Sequence, residues 1–264
     1  MQREAWVILI ILLLAGAVTY AHITTTTEDY SRHNIGWNGT SNLGLKEVEE
    51  LPTEGILLII APDKPFTSEE AGYLRAFLES GGTLIIADKD GTANPLLEAL
   101  GSAMRIQPGN LSSLERDHVD PRIFRVHVTG NATIFAGIET LLVNHPAVVR
   151  GGEALLETSP LTWDDADGDG RPGDTFGKRV VCAREGNLIV LGDPGLFINA
   201  MHNENPEFIG NLQSVLIERT HSRTGTKNPI INTLTWIQET PLAGAALAAL
   251  AILPVAYHFG RKRE

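Results

Sequence analysis

The hydrophobic and polar pattern in the first half of the chain predicts a strand, a helix and a second strand. Residues 56–61 and 83–87 are continuous apolar runs, a pattern typical of strands buried on both faces. Between them, Thr67 with Glu70 three residues later forms the pattern of a capping box, and apolar residues then recur at helical spacing through Leu78. The pattern therefore predicts two parallel strands joined by a crossover helix.

The later part of the chain contains shorter strand patterns and one clear hairpin. Residues 178–184 and 187–192 are two strand patterns separated by Glu185 and Gly186, a dipeptide that favours a tight turn. Together with the first unit, this predicts one three-layer α/β domain over residues 23–228. We expect a parallel sheet with a C-terminal hairpin.

Two apolar segments flank this domain. Trp6–Ala21 and Leu242–Tyr257 are each near the lower limit of the roughly 17–25 residues that cross a bilayer, and basic residues lie outside both of them. The pattern predicts a two-pass cell-membrane protein with both termini cytoplasmic and the domain outside. Its predicted parts are an N-terminal transmembrane helix in 1–22, the domain in 23–228, and a helix leading into a transmembrane segment and basic tail in 229–264. A cleaved signal peptide remains an alternative for the first segment.

Charge and cysteine content restrict the possible partners. The net charge of −11 argues against nucleic acid and against an anionic lipid surface. Cys182 is the single cysteine in the sequence, so neither an intramolecular disulfide nor a zinc site with two thiolates can form.

The chain resembles the family called domain of unknown function 4350. The residues that carry this resemblance are Asp29-Tyr30-Ser31, Asn34, Gly39-Thr40-Ser41, Ala61-Pro62-Asp63-Lys64-Pro65-Phe66-Thr67, Gly81-Gly82-Thr83-Leu84, Leu191-Gly192-Asp193-Pro194 and Phe197-Ile198-Asn199. The resemblance implies membrane anchoring, a flavodoxin-like parallel sheet similar to the fold of class I glutamine amidotransferases, and a relation to auxiliary subunits of gliding-motility-type ABC transporters. It implies no catalytic residues.

The residues themselves favour a non-catalytic protein. Amidotransferases of this class use a cysteine on a tight turn, whereas Cys182 lies in the middle of a strand pattern, where a cysteine is usually a small hydrophobic residue. The chain also lacks the Gly-x-Ser-x-Gly pattern of a serine nucleophile.

An aspartate-rich loop is a candidate calcium site. Its carboxylates alternate as in the first half of an EF-hand, but Phe176 occupies the position where a bidentate glutamate is required. A solvated turn rich in Asp and Gly is the alternative. The candidate ligands are Asp165, Asp167, Asp169 and Asp174.

Polar residues at the ends of predicted strands form a second candidate site. Asp63, Asp88 and Asp193 each follow an apolar strand, and the carboxyl ends of parallel strands share the edge where open α/β folds bind ligands. An acidic crevice suits a cation or a polyol better than a phosphate. The alternative is that these residues only terminate strands and cap helices. A preceding loop offers further ligand-binding candidates: Ser31, Asn34, Trp37 and Asn38.

Three functions are consistent with these features. The leading hypothesis is a non-catalytic, membrane-anchored accessory or ligand-binding subunit of a membrane assembly of the ABC-transporter type. The alternatives are a metal-assisted hydrolase that uses the acidic sheet edge, and a calcium-dependent surface or structural module.

Overall fold

A computed structural model of the chain describes residues 28–48, 55–165, 168–172, 175–214 and 217–220, together with residues 9, 11–13 and 15–16. Its helices are α1 (Ser68–Glu79), α2 (Asn94–Ala99) and α3 (Pro206–Ser214), and short 3-10 helices cover Ser41–Leu43, Thr133–Phe135, Pro194–Phe197 and Asn199–Met201. Its strands are β1 (Lys46–Val48), β2 (Ile56–Ile60), β3 (Thr83–Ala87), β4 (Arg105–Gln107), β5 (Asn110–Ser113), β6 (Ile123–Val128), β7 (Thr140–Asn144), β8 (Val148–Arg150), β9 (Glu153–Glu157), β10 (Thr162–Asp165), β11 (Val180–Glu185), β12 (Leu188–Leu191) and β13 (Ile217–Thr220).

One nine-stranded mixed sheet dominates the described part of the chain. Its strand order is β1-β13-β2-β3-β12-β11-β9-β6-β7. The strands from β1 to β12 in this order pair in parallel. From β12 to β7 every pairing is antiparallel. The pairs β5–β10 and β4–β8 form two small separate sheets.

The prediction of a flavodoxin-like parallel sheet is therefore wrong. In that architecture the sheet is parallel throughout, and helix crossovers connect strands that are consecutive in sequence. Here the connection between the neighbouring strands β3 and β12 contains α2 but also the strands from β4 to β11. The strands of this connection are short, and β6 alternates between buried and exposed residues. This alternation is typical of an antiparallel sheet with one solvent-exposed face.

Two local predictions are confirmed. Thr67 and Glu70 form both hydrogen bonds of the capping box at the start of α1, and β2 pairs in parallel with β3. The predicted hairpin is also present, since β11 and β12 pair antiparallel around a turn at Gly186 and Asn187.

The parallel half of the sheet is covered by helices on both faces. Leu57 and Ile59 of β2 pack into a buried cluster with α1 and α2. Leu58 and Ile60 point to the other face and join a cluster that includes α3 and the 3-10 helix Thr133–Phe135. This alternation follows from the two-residue period of a strand.

The predicted two-pass membrane localisation is contradicted. Within the described residues, no helix is long and apolar enough to cross a membrane. The predicted spans have 16 residues each, fewer than the roughly 17–25 that a transmembrane helix needs. Leu242–Tyr257 and most of Trp6–Ala21 lie outside the described residues.

Candidate functional site

Two of the three predicted strand-end carboxylates lie together. Asp88 follows β3 directly, and its backbone N–H donates to Leu191 O at the end of β12 at 3.0 Å. Asp193 begins the segment that leaves β12, so both aspartates lie at the carboxyl edge of the parallel strands. Both also raise the pKa of Tyr30, whereas Asp63 is exposed and is not among the charges that act on this phenol.

Asp88 organises the connection between β3 and α2. One carboxylate oxygen accepts from the backbone N–H of Asp90 and the other from that of Ala93, each at 2.9 Å. Burial raises the pKa of Asp88, and these two hydrogen bonds oppose the shift because they favour the charged form. Asp88 thus stabilises the connection between β3 and α2, which agrees with the alternative that these residues terminate strands and cap helices.

Asp193 is the most unusual group at this edge. Its side chain is completely buried, and Oδ2 accepts from the backbone N–H of Asn144 at 2.6 Å. Oδ1 has no hydrogen-bond partner within the described part of the chain. Burial raises the pKa of Asp193 to about 7, while the backbone N–H groups of Asn144, Gly195 and Leu196 and the charge of Lys89 counteract part of the shift.

Backbone strain concentrates at the same edge. Among the described non-glycine residues, positive φ occurs at Tyr30 (60°), Ala61 (45°) and His145 (61°). Ala61 ends β2 beside Asp88, and His145 ends β7 beside the partner of Asp193. Such conformations cost free energy and tend to occur at functional sites, so their convergence on one edge identifies a candidate site.

We call the loop over residues 28–42 the entry loop. Three of its four predicted ligand-binding residues hold the loop itself together: Asn34 is 3% exposed and bonds Glu28 O and Asn38 Oδ1, Ser31 Oγ accepts from His33 N–H, and Asn38 donates to Asp29. Trp37 is different, because 70% of it is exposed. The indole ring of Trp37 is therefore accessible to a ligand, whereas the side-chain amides of Asn34 and Asn38 already form hydrogen bonds within the loop.

Asn199 fixes the entry loop from outside and was not singled out from the sequence. Its Nδ2 donates to Gly36 O at 2.7 Å and to Ser41 Oγ at 3.0 Å, and its Oδ1 accepts from Asn42 N–H at 2.9 Å. Its backbone N–H donates to Gly39 O at 2.7 Å. The available signal was its place in the motif Phe197-Ile198-Asn199, which the resemblance had already marked.

A histidine with two engaged nitrogens was also missed. His145 Nδ1 lies 2.7 Å from Asn144 Oδ1, and Nε2 lies 3.3 Å from Asp120 Oδ2. Arg122 donates to both oxygens of Asp120, at 2.8 and 2.9 Å, and this bond is the main cause that lowers the pKa of Asp120 to about 2. Burial lowers the pKa of His145 although Asp120 opposes this. No local spacing in the sequence indicates this group.

Cys182 lies in the middle of β11, as the sequence predicts, and is completely buried. Burial raises the pKa of its thiol above its usual value. Because the thiolate is the reactive form of cysteine, this environment is that of an inert core residue.

The described part of the aspartate-rich loop does not gather its carboxylates. Asp165 is 2% exposed, and its oxygens accept from Ser112 Oγ at 2.7 Å and from Gly170 N–H at 3.3 Å. Asp169 is exposed and lies 3.6 Å from Arg171. Asp167 and Asp174 lie outside the described residues, and no group of three potential metal ligands occurs among those described. Calcium binding here stays a prediction.

The fold and the site define a mixed α/β domain with a strained, carboxylate-rich edge at the ends of its parallel strands. The chain belongs to the family described as Domain of unknown function (DUF4350), whose model matches residues 36–212. This match does not extend to membrane anchoring, an amidotransferase-like fold or a transporter relation.

No curated protein matches the chain. Among solved structures, alpha-L-fucosidase isoenzyme 2 from Paenibacillus thiaminolyticus is similar over 61% of this chain and 24% of its own, with 12% identity and a TM-score of 0.31. The chain thus spans about a quarter of that enzyme. A likeness this weak carries no argument about fold or activity.

Proposed function

We propose that the protein is a non-catalytic ligand-binding domain whose ligand occupies the crevice at the carboxyl ends of the parallel strands. The observation that carries this proposal is the convergence of the three strained residues Tyr30, Ala61 and His145 on the edge that holds Asp88 and Asp193. Open α/β sheets bind ligands at this edge, where the strand connections diverge.

The potentially reactive groups near the crevice argue for binding rather than catalysis. Both ring nitrogens of His145 already face oxygen partners, and Asp193 has no contact with solvent. A hydrolase that used the acidic edge would need its carboxylates within reach of one substrate. Asp63 is exposed, whereas Asp88 and Asp193 are buried, which weighs against that alternative.

The charge of the crevice favours a cation or a polyol as ligand. Four carboxylates act on Tyr30, those of Asp29, Asp88, Asp90 and Asp193. Lys89 contributes a positive charge that lowers the pKa of Asp193 and of His145. Negative charge dominates, and the sequence lacks the glycine spacing of phosphate-binding loops.

Thermal melting of the full chain tests this proposal. Methylammonium chloride or D-glucose should raise the melting temperature of the wild type by more than that of Asp90→Asn, and this comparison corrects for the general stabilisation that sugars and salts give to folded proteins. A ligand at 100 times its dissociation constant adds about 2.7 kcal/mol to the stability. Asp90→Asn should weaken the response, whereas Asp63→Asn, an exposed strand-end aspartate outside the cluster, should retain it. The proposal fails if neither probe shifts the melt or if both variants behave alike.

A second proposal, that the domain is an accessory subunit of a larger assembly of the ABC-transporter type, is supported by an exposed apolar pair on the entry loop. Ile35 and Trp37 are 74% and 70% exposed, although Asn199 and the backbone N–H of Ala200, which donates to Trp37 O at 3.0 Å, hold the loop firmly. A rigid loop that presents large apolar side chains is typical of an interaction site.

Affinity capture with the full chain should recover a stoichiometric partner that is lost in Trp37→Ser. Tyr73→Ser removes a comparably exposed aromatic residue from α1, at 57% exposure, and should keep the partner. Equal loss in the two variants, or a monodisperse monomer under gentle extraction, would contradict an accessory role.

A further inference from the structure

Residues 193–205, which we call the strap, run along the outer edge of β7. At one end, Asp193 Oδ2 accepts from Asn144 N–H at 2.6 Å. At the other end, Asn205 is 4% exposed, and its side-chain amide accepts from Leu142 N–H and donates to Leu142 O, each at 2.9 Å. The strap therefore holds β7 through side chains.

The pairing register explains why β7 needs these side chains. β7 is the last strand of the sheet and pairs with β6 on its inner side. Val128 N–H donates to Glu139 O, so odd-numbered residues face β6, while Leu142 and Asn144 direct their backbone polar groups outward. Buried backbone groups at a sheet edge must find other partners, and Asp193 and Asn205 provide them.

The middle of the strap holds the entry loop. Asn199 and Ala200 form the hydrogen bonds to residues 36–42 described above. Tyr30 lies on the same loop, and the charge of Asp193 adds to the effect of burial in raising the pKa of its phenol. One segment thus connects the edge strand to the loop that lines the crevice.

Asp193 is the titratable anchor of the strap, and its surroundings disfavour its ionised form. On the entry loop, Tyr30 and Asp29 face Asp193. On the connection after β3, the charged groups are Asp88, Lys89 and Asp90. On β7, His145 follows Asn144, the hydrogen-bond partner of Asp193. The charge of Lys89 and the backbone N–H groups of Asn144, Gly195 and Leu196 favour ionisation, but they do not offset burial, and Oδ1 has no hydrogen-bond partner within the described residues. Burial raises the pKa of Asp193 to about 7, so the side chain changes charge near neutral pH.

We propose that Asp193 is a proton-operated latch, which in its neutral form holds the strap and the entry loop closed and in its ionised form lets them open. If the proposed ligand function is correct, pH would then control access to the crevice. The latch itself does not depend on that function.

The direction and size of the effect follow from proton linkage. An opened strap exposes Asp193, whose pKa then returns to 3.8, the ordinary value of an aspartate carboxyl group. The closed form therefore binds the proton more tightly and is favoured at low pH. The opening constant should rise by about tenfold per pH unit from about pH 4 and level off above about pH 7.

Hydrogen exchange of the full chain without ligand tests the latch. After correction for the intrinsic exchange rate, protection of peptides that cover residues 28–42, 140–146 and 193–205 should fall by about tenfold per pH unit between pH 5 and pH 7. Peptides from β2 and β3 exchange through global unfolding, which also exposes Asp193, so they should show the same slope but remain more protected than the three regions at every pH. Asp193→Asn retains an acceptor oxygen for Asn144 and should make protection independent of pH.

Asp63→Asn is the matched control and should keep the wild-type profile. Constant protection of the three regions in the wild type would overturn the latch, as would an unchanged fall in Asp193→Asn. The wild-type profile decides the question even if that variant does not fold. Since no ligand is present, a failed latch is distinguishable from a failed ligand proposal, which the melting experiment tests separately.

Discussion

Asp193→Asn should raise the free energy of unfolding at pH 8 by roughly 4 kcal/mol and leave it nearly unchanged at pH 4. The pKa of Asp193 is raised to about 7 in the folded chain, against 3.8 for a free carboxyl, and burial is the largest cause. The stabilisation by its proton is complete below about pH 4 and is lost as the pH rises through about 7. Asparagine resembles the neutral acid and has no charge to bury, so the variant avoids this loss.

Urea denaturation of both proteins at several pH values measures this effect. Asp63→Asn should follow the wild type throughout, because Asp63 is exposed. An equal difference between wild type and Asp193→Asn at pH 4 and pH 8 would show that the carboxyl group is not titrating in this range. A destabilised variant at both pH values would indicate that hydrogen bonding at this position, rather than charge, determines stability.

Local patterns predicted the βαβ unit because its determinants are close in sequence. The capping box spans Thr67 to Glu70, and β2 and β3 are uninterrupted apolar runs. The hairpin of β11 and β12 was predicted for the same reason, since Gly186 marks its turn between two adjacent strand patterns, although the turn is formed by Gly186 and Asn187 rather than by Glu185 and Gly186. In both cases a turn or cap within a few residues fixes the structure.

The antiparallel half of the sheet could not be predicted in this way. β9 pairs with both β11 and β6, and β6 pairs with β7, through contacts between segments that local periodicity treats as independent short strands. The resemblance supplied a parallel architecture that the individual strands do not contradict. Only the strand pairing distinguishes the expected parallel sheet from the mixed sheet of the structure.

The candidate site was also predictable only where its signals are local in the sequence. Asp88 and Asp193 were found because a carboxylate after an apolar strand is a local signal, yet the same signal also selected Asp63, which is exposed where the other two are buried. The contacts of Asn199 with the entry loop join residues more than 150 positions apart. Such contacts depend on the complete topology, and so does the position of His145 beside Asp120.

The second large effect should come from the core beneath the strap. Phe208 of α3 is fully buried, its ring centroid lies 5.8 Å from that of Phe135, and the ring of Phe197 in the strap lies 5.7 Å away. Phe208→Ala should lower the free energy of unfolding by about 3–5 kcal/mol, because it removes buried apolar surface and leaves a cavity. Two aromatic contacts are lost as well.

Phe208→Leu keeps most of the volume and should cost clearly less, and Tyr73→Ala on the exposed side of α1 should change stability by no more than about 0.5 kcal/mol. Denaturation in urea measures all three. Phe197 belongs to the strap and packs against Phe208 of α3. Phe208→Ala should therefore also reduce the hydrogen-exchange protection of residues 193–205 at every pH. Ionisation of Asp193, in contrast, should reduce this protection only as the pH rises. A loss below about 1 kcal/mol would mean that α3 does not support the strap, and the latch would then depend on its polar anchors alone.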